Sequence, residues 1–141
     1  MLHKILLPVD LTEKNRPALD AARELLKKSG SEGEVVLLHV IATIADTSFE
    51  EMSDFYQPIE DDARQRLGSL AEELSTEGIP VSVEVLYGDR ARSIVEYAAE
   101  AEVGLIVLSS RTLDERDPAA NWATVSLKVA FLADCPVMLV K

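Results

Sequence analysis

The chain has 141 residues, of which 48% are hydrophobic and 28% are charged, and its formal net charge is −11. This length and composition predict a single globular domain over residues 1–141. The excess of acidic residues repels phosphate backbones and anionic lipid surfaces, so we expect neither nucleic-acid nor membrane binding. The single cysteine and the lack of a secretory leader or long apolar stretch predict a cytoplasmic protein.

Short apolar runs alternate with helical patterns from one end of the chain to the other. The predicted strands are residues 4–9, 34–41, 81–85, 103–108 and 136–140. Apolar residues at helical spacing predict four helices between them. Pro17 is expected in the first turn of the first helix and Gly30 at its end, and Asp89 is a candidate N-cap for the third.

The second predicted helix has a long apolar stripe and the fourth has a shorter one. The stripes consist of Phe55, Ile59, Ala63, Leu67, Leu70, Ala71 and Leu74 in the second helix, and of Val125, Val129 and Leu132 in the fourth. Ten acidic residues lie between positions 46 and 77. A solvated helix face is the favoured interpretation of this acidic run, and a docking surface for a basic partner is the alternative.

The predicted strands are almost continuously apolar, and a helix follows each of the first four. This pattern predicts an α/β fold, with an open five-stranded parallel sheet covered by helices on both faces. Ligands of such sheets bind beyond the carboxyl ends of the strands, where the strand order reverses. The segments of interest are therefore residues 9–11, 40–45 and 109–124.

The residue patterns of metal sites, catalytic nucleophiles and glycine-rich phosphate loops do not occur in this sequence. His3 lies at the amino end of the first strand, away from the expected site. His39 lies inside the second strand and is interpreted as a packed, hydrogen-bonded histidine. Cys135 is interpreted as a small buried hydrophobe. We therefore expect no metal site and no catalytic residue.

Five segments, taken in order, resemble the universal stress protein family over essentially the whole chain. They are KILLPVD with ALDAA, then LHV, then GD with IVEYA, then LIVLSS, and finally VSLKV with DCPVMLV. The resemblance implies a Rossmann-like sheet with strand order 3-2-1-4-5, and a homodimer in which the C-terminal strands meet. Some members of the family bind ATP and others bind none.

The resemblance also implies a nucleotide site, with an aspartate after the first strand and three loop glycines around the phosphates. Matched residue by residue, the cofactor-binding positions are Asp10, Val40, Ser109, Thr112, Thr124 and Ser126. Ser109, Thr112 and Ala123 stand where the glycines belong, and each adds a Cβ that hinders the approach of backbone N–H groups to phosphate. The loop is therefore interpreted as degenerate, with no cofactor expected and ATP as the alternative.

The favoured hypothesis is a non-enzymatic stress-response homodimer that acts through protein partners. Its predicted interface is the apolar strand at 136–140, because an exposed apolar sheet edge invites pairing. The alternative is an adenine-nucleotide-binding sensor or slow ATPase built around Asp10, Thr124 and Ser126. A phospho-receiver domain is disfavoured, because Asp10 has no acidic neighbour in its turn. Without a ligand, Asp10 has a simpler role as the cap of that turn.

Overall fold

The computed structural model describes residues 1–43, 52–110, 116 and 124–141. The strands are β1 (Lys4–Pro8), β2 (Glu34–Ile41), β3 (Val81–Tyr87), β4 (Leu105–Ser109) and β5 (Val137–Val140). The helices in these ranges are α1 (Arg16–Ser29), α2 (Ser53–Ser75), α3 (Arg90–Glu100) and α4 (Val125–Leu132), and a 3-10 turn (Glu13–Asn15) precedes α1. Within the described ranges, no helix has the length and apolar character needed to cross a membrane.

All the strands are parallel and form one sheet in the order β3-β2-β1-β4-β5. This confirms the predicted α/β fold and the strand order that the resemblance implied. Successive side chains of β1 point to opposite faces, so Ile5 and Leu7 join the core on the α1 and α2 side, and Leu6 joins the core under α3 and α4. All three side chains are fully buried.

Local capping chemistry fixes the helix ends as expected. Pro17 lies in the first turn of α1, and Gly30 ends that helix in the left-handed conformation, with φ of 65°. Asp89 caps α3, because its carboxylate accepts a hydrogen bond of 3.0 Å from the backbone N–H of Arg92.

The predicted apolar face of α2 is wrong at its amino end. Phe55 is 51% exposed and Ile59 is 39% exposed, whereas Tyr56 is only 2% exposed. At about 3.6 residues per turn, Tyr56 lies about 20° around the helix axis from buried Leu67, but Phe55 lies about 120° away. Tyr56 therefore enters the core, where its ring meets the Tyr87 ring edge-on with centroids 5.6 Å apart.

A second correction concerns the end of α4. Val129 is buried as predicted, but Leu132 is 60% exposed. Leu132 is the last residue of α4, and the chain then enters β5, which pairs with β4 on one side and is the last strand of the sheet. Met138 in β5 is 36% exposed. Large apolar side chains are therefore exposed at this edge of the sheet.

Candidate functional site

An open cavity of about 530 Å³ lies at the carboxyl ends of β1, β2 and β4. Its position follows from the strand order. The helix after β1, α1, packs on one face of the sheet, and the helix after β4, α4, packs on the other face. The strand order reverses between β1 and β4, and open α/β sheets bind their ligands at such a point.

The structure places five of the six predicted site residues on this cavity. They are Asp10, Val40, Ser109, Thr124 and Ser126. The sixth residue, Thr112, lies outside the described residues, and so does Ala123. The role of these residues in nucleotide binding stays a prediction.

Asp10 holds the turn that follows β1. One carboxylate oxygen accepts hydrogen bonds from the backbone N–H and the hydroxyl of Thr12, at 3.0 and 2.6 Å, and from the amide of Asn15, at 2.6 Å. Leu11 inside the turn takes a left-handed conformation with φ of 67°, which is unfavourable for a residue with a side chain. The three hydrogen bonds stabilise that conformation, so the predicted capping role of Asp10 is confirmed.

The pKa of Asp10 reflects this turn. Partial burial acts to raise it, but the hydrogen bonds from Thr12 and Asn15, with the nearby charge of Lys14, outweigh burial and hold the pKa below its usual value. Asp10 is therefore an ionised hydrogen-bond acceptor at neutral pH. A carboxylate that is stabilised in this way is a weak general base.

The end of β2 forms the apolar wall of the cavity. Val40 is 5% exposed and His39 is 9% exposed. His39 donates a hydrogen bond of 2.8 Å from its Nδ1 atom to the carbonyl oxygen of Val9. The predicted packed, hydrogen-bonded histidine is confirmed, and the bond ties the end of β2 to the end of β1.

Hydroxyl groups cluster on the opposite side of the cavity, where β4 ends and α4 begins. The Ser126 hydroxyl lies 3.3 Å from the hydroxyl of Ser110 and 3.3 Å from that of Thr124. Thr124 occupies the N-cap position of α4, but its side chain makes no capping hydrogen bond. Its hydroxyl is directed into the cluster instead.

Ser109 is the exception in this cluster. Its hydroxyl oxygen is buried and has no hydrogen-bond partner among the residues that the structure describes. Leaving a buried hydroxyl without a partner costs about 1–3 kcal/mol. Ser109 is also one of the residues that line the cavity.

The predicted site residues did not include several polar residues that line the cavity, among them Lys14, Asn15 and Arg90. Each lies in or just before the first turn of a helix that follows a strand. In a parallel α/β sheet, such positions come to the carboxyl edge, where the cavity lies. That topological rule was the signal that could have found them.

The fold is a doubly wound α/β domain with an open cavity at the carboxyl edge of its sheet. The universal stress protein family model matches residues 1–141. The chain belongs to the universal stress protein family.

Relatives with known names agree with this assignment. The chain is similar to universal stress protein YxiE of Bacillus subtilis, with 27% identity over 151 residues and full coverage of both chains. Its fold is similar to that of UspA from Lactobacillus plantarum, with 20% identity, a TM-score of 0.81 and coverage of 99% and 98% of the two chains. It is also similar to a universal stress protein from Archaeoglobus fulgidus in complex with dAMP, with 21% identity, a TM-score of 0.70 and full coverage of both.

The turn at Asp10 supports a prediction about stability. Asp10→Ala removes three hydrogen bonds and should lower the free energy of unfolding by about 1 kcal/mol at neutral pH, a value kept small by solvent screening. Because the folded state lowers the pKa of Asp10, this contribution is present above the usual value of 3.8. It is lost as pH falls through the folded pKa.

Urea unfolding at neutral and at acidic pH measures this contribution. Glu13→Ala is the matched control, because Glu13 is an exposed acid at the start of the 3-10 turn that follows. A loss for Asp10→Ala no larger than that for Glu13→Ala at neutral pH would contradict the capping role.

Proposed function

We propose that this universal stress protein binds an adenine nucleotide in the cavity and does so without catalysing its hydrolysis. One observation carries the proposal: the hydroxyl oxygen of Ser109 is buried and has no hydrogen-bond partner among the described residues. Ser109 is also one of the residues that line the cavity, and the cavity volume of about 530 Å³ lies in the range of small-molecule sites, about 300–1,000 Å³.

The arrangement of the walls suits a nucleotide. Val40 and the neighbouring end of β2 provide an apolar surface for a base, and the hydroxyls of Ser110, Thr124 and Ser126 provide donors for a sugar or a phosphate. The similar protein from Archaeoglobus fulgidus was solved in complex with dAMP, which supports an adenine nucleotide as the ligand class.

The sequence favours a nucleotide with a short phosphate chain. Cradling a triphosphate by backbone N–H groups needs glycines, and this chain has Ser109, Thr112 and Ala123 at those positions. A single phosphate needs fewer donors, which side-chain hydroxyls can supply. We therefore propose that a nucleoside monophosphate such as dAMP binds more tightly than ATP.

The state of Asp10 supports binding without hydrolysis. Three hydrogen bonds engage one of its oxygens, and its pKa is lowered, so it is poorly suited to take a proton from an attacking water. We propose that the output of the protein is a change in its interactions with protein partners.

Ser109→Ala tests the proposed site through two opposite effects. Removal of an unpartnered buried hydroxyl should leave the free energy of unfolding unchanged or raise it by about 0.5–1 kcal/mol. The same change removes a hydrogen bond to the ligand and should weaken dAMP binding by about fivefold to tenfold. Urea unfolding and calorimetric titration measure the two quantities.

Ser82→Ala is the matched control, because Ser82 is an exposed serine of β3 and does not line the cavity. Dissociation constants for dAMP that are equal in the wild-type protein and in Ser109→Ala would show that this hydroxyl does not contact a ligand. Failure of the wild-type protein to bind any adenine nucleotide would overturn the proposed function itself.

We further propose that the protein is a homodimer that pairs through β5. This strand lies at the edge of the sheet, and an apolar edge strand is stabilised by pairing with a second copy. The exposure of Met138 in β5 and of Leu132 at the end of α4 supports the same surface.

Leu132→Ser combined with Met138→Lys should convert the dimer to a monomer, because the pair removes apolar area and adds a like charge to each copy. Sedimentation equilibrium measures the change as a halving of the apparent mass. Phe55→Ser combined with Ile59→Lys is the matched control on α2, where both residues are also exposed. A monomeric wild-type protein at micromolar concentration would contradict the proposal.

A further inference from the structure

The charge of the cavity is opposite to that of the chain. The sequence has 25 acidic and 14 basic residues. Around the cavity the balance reverses, because Lys14, Arg90 and Lys141 line it and Asp10 is the only acidic side chain among its described lining residues. A concave site of one sign in a protein of the other sign focuses the local potential and attracts ligands of opposite charge.

Two of these basic residues have no acidic partner among the residues that the structure describes. Neither Lys14 nor Arg90 forms a salt bridge with a carboxylate in the part of the chain that the structure describes. Lys14 acts on Asp10 only through its charge at longer range. By contrast, Arg92 lies two residues after Arg90 in α3 and forms a salt bridge of 2.8 Å with Glu96. Among the described residues, these two cations on one cavity therefore have no carboxylate partner and are available for a ligand.

The backbone adds to this positive potential. The amino ends of α1, α3 and α4 all lie at the carboxyl edge of the sheet, because each helix follows a parallel strand. Residues from the first turns of all three helices, Pro17, Arg90 and Ser126, line the cavity. Helix amino ends carry partial positive charge and favour anions.

We infer that Lys14 and Arg90 recognise the anionic phosphate group of the ligand and so replace, with side-chain charge, the binding that loop glycines would supply through backbone N–H groups. The nucleotide identity of that ligand rests on the proposed function. Arg90 presents a planar guanidinium with several donors for phosphate oxygens, and Lys14 presents a mobile point charge. The two residues therefore set the preference for phosphorylated over uncharged ligands.

Calorimetric titration with dAMP, deoxyadenosine and inorganic phosphate tests this inference. The variants are Arg90→Gln, Lys14→Gln and the double variant, with Arg92→Gln as the matched control for loss of one charge on α3 outside the cavity. We expect each single variant to weaken dAMP about fivefold, and the double variant about twentyfold, with deoxyadenosine changed by less than about twofold. Arg92→Gln should leave dAMP affinity unchanged, and added salt should weaken dAMP binding more in the wild-type protein than in the double variant.

The remaining outcomes distinguish failure of the inference about Lys14 and Arg90 from failure of the proposed nucleotide binding. Equal losses for dAMP and deoxyadenosine, or a loss of dAMP affinity in Arg92→Gln as large as in Arg90→Gln, would overturn the inference and leave nucleotide binding intact. If inorganic phosphate binds in a way that depends on Arg90, and dAMP binds no more tightly than phosphate, the result would support the anion site. It would overturn the assignment of a nucleotide as the ligand. No binding of any of the three ligands to the wild-type protein would overturn both.

Discussion

The central position of β1 determines where everything else in this protein lies. β1 pairs with β2 on one edge and β4 on the other, and its side chains are buried on both faces. The backbone N–H of Val9 continues the pairing with β2 by a hydrogen bond of 2.8 Å to Leu38. The chain must then turn sharply within two residues, which explains both the left-handed Leu11 and the three hydrogen bonds to Asp10. The cavity lies beside this turn, at the carboxyl ends of β1, β2 and β4.

The candidate site differs in kind from a glycine-rich phosphate loop. Such a loop binds through backbone N–H groups, which need close approach and residues without a Cβ. Here the polar groups belong to side chains: the hydroxyls at the start of α4 and two cations at the starts of α1 and α3. Side-chain donors are longer and more adaptable, and Ser109 contributes a hydroxyl at a position where a glycine would contribute none. On the proposed function, the side chains that stand in place of the glycines change which ligand fits the cavity.

Most of the fold could be predicted from the sequence, because its strands are nearly continuous apolar runs and its helix ends have proline, glycine and aspartate at the expected places. The exact strand order came from the family resemblance. The burial of Tyr56 in place of Phe55 could not be predicted from the apolar stripe. Residues spaced four apart move progressively around the helix axis over several turns, because one turn takes about 3.6 residues. Five predicted site residues did converge, but Lys14 and Arg90 were missed because only the folded sheet brings the starts of separate helices to one edge. The absent glycines led the sequence analysis to favour a protein without a ligand, whereas the cavity and the buried Ser109 hydroxyl support one.

Backbone amide NMR of the isotopically labelled protein during titration with dAMP tests the nucleotide site most directly, since it reports binding and its location together. The account predicts saturable shifts at the cavity, centred on Asp10, Val40, Ser109 and the first turn of α4. It also predicts little change on the outer face of α2. Shifts that do not saturate, or that map to residues away from the carboxyl edge of the sheet, would contradict the assignment of this cavity as a nucleotide site.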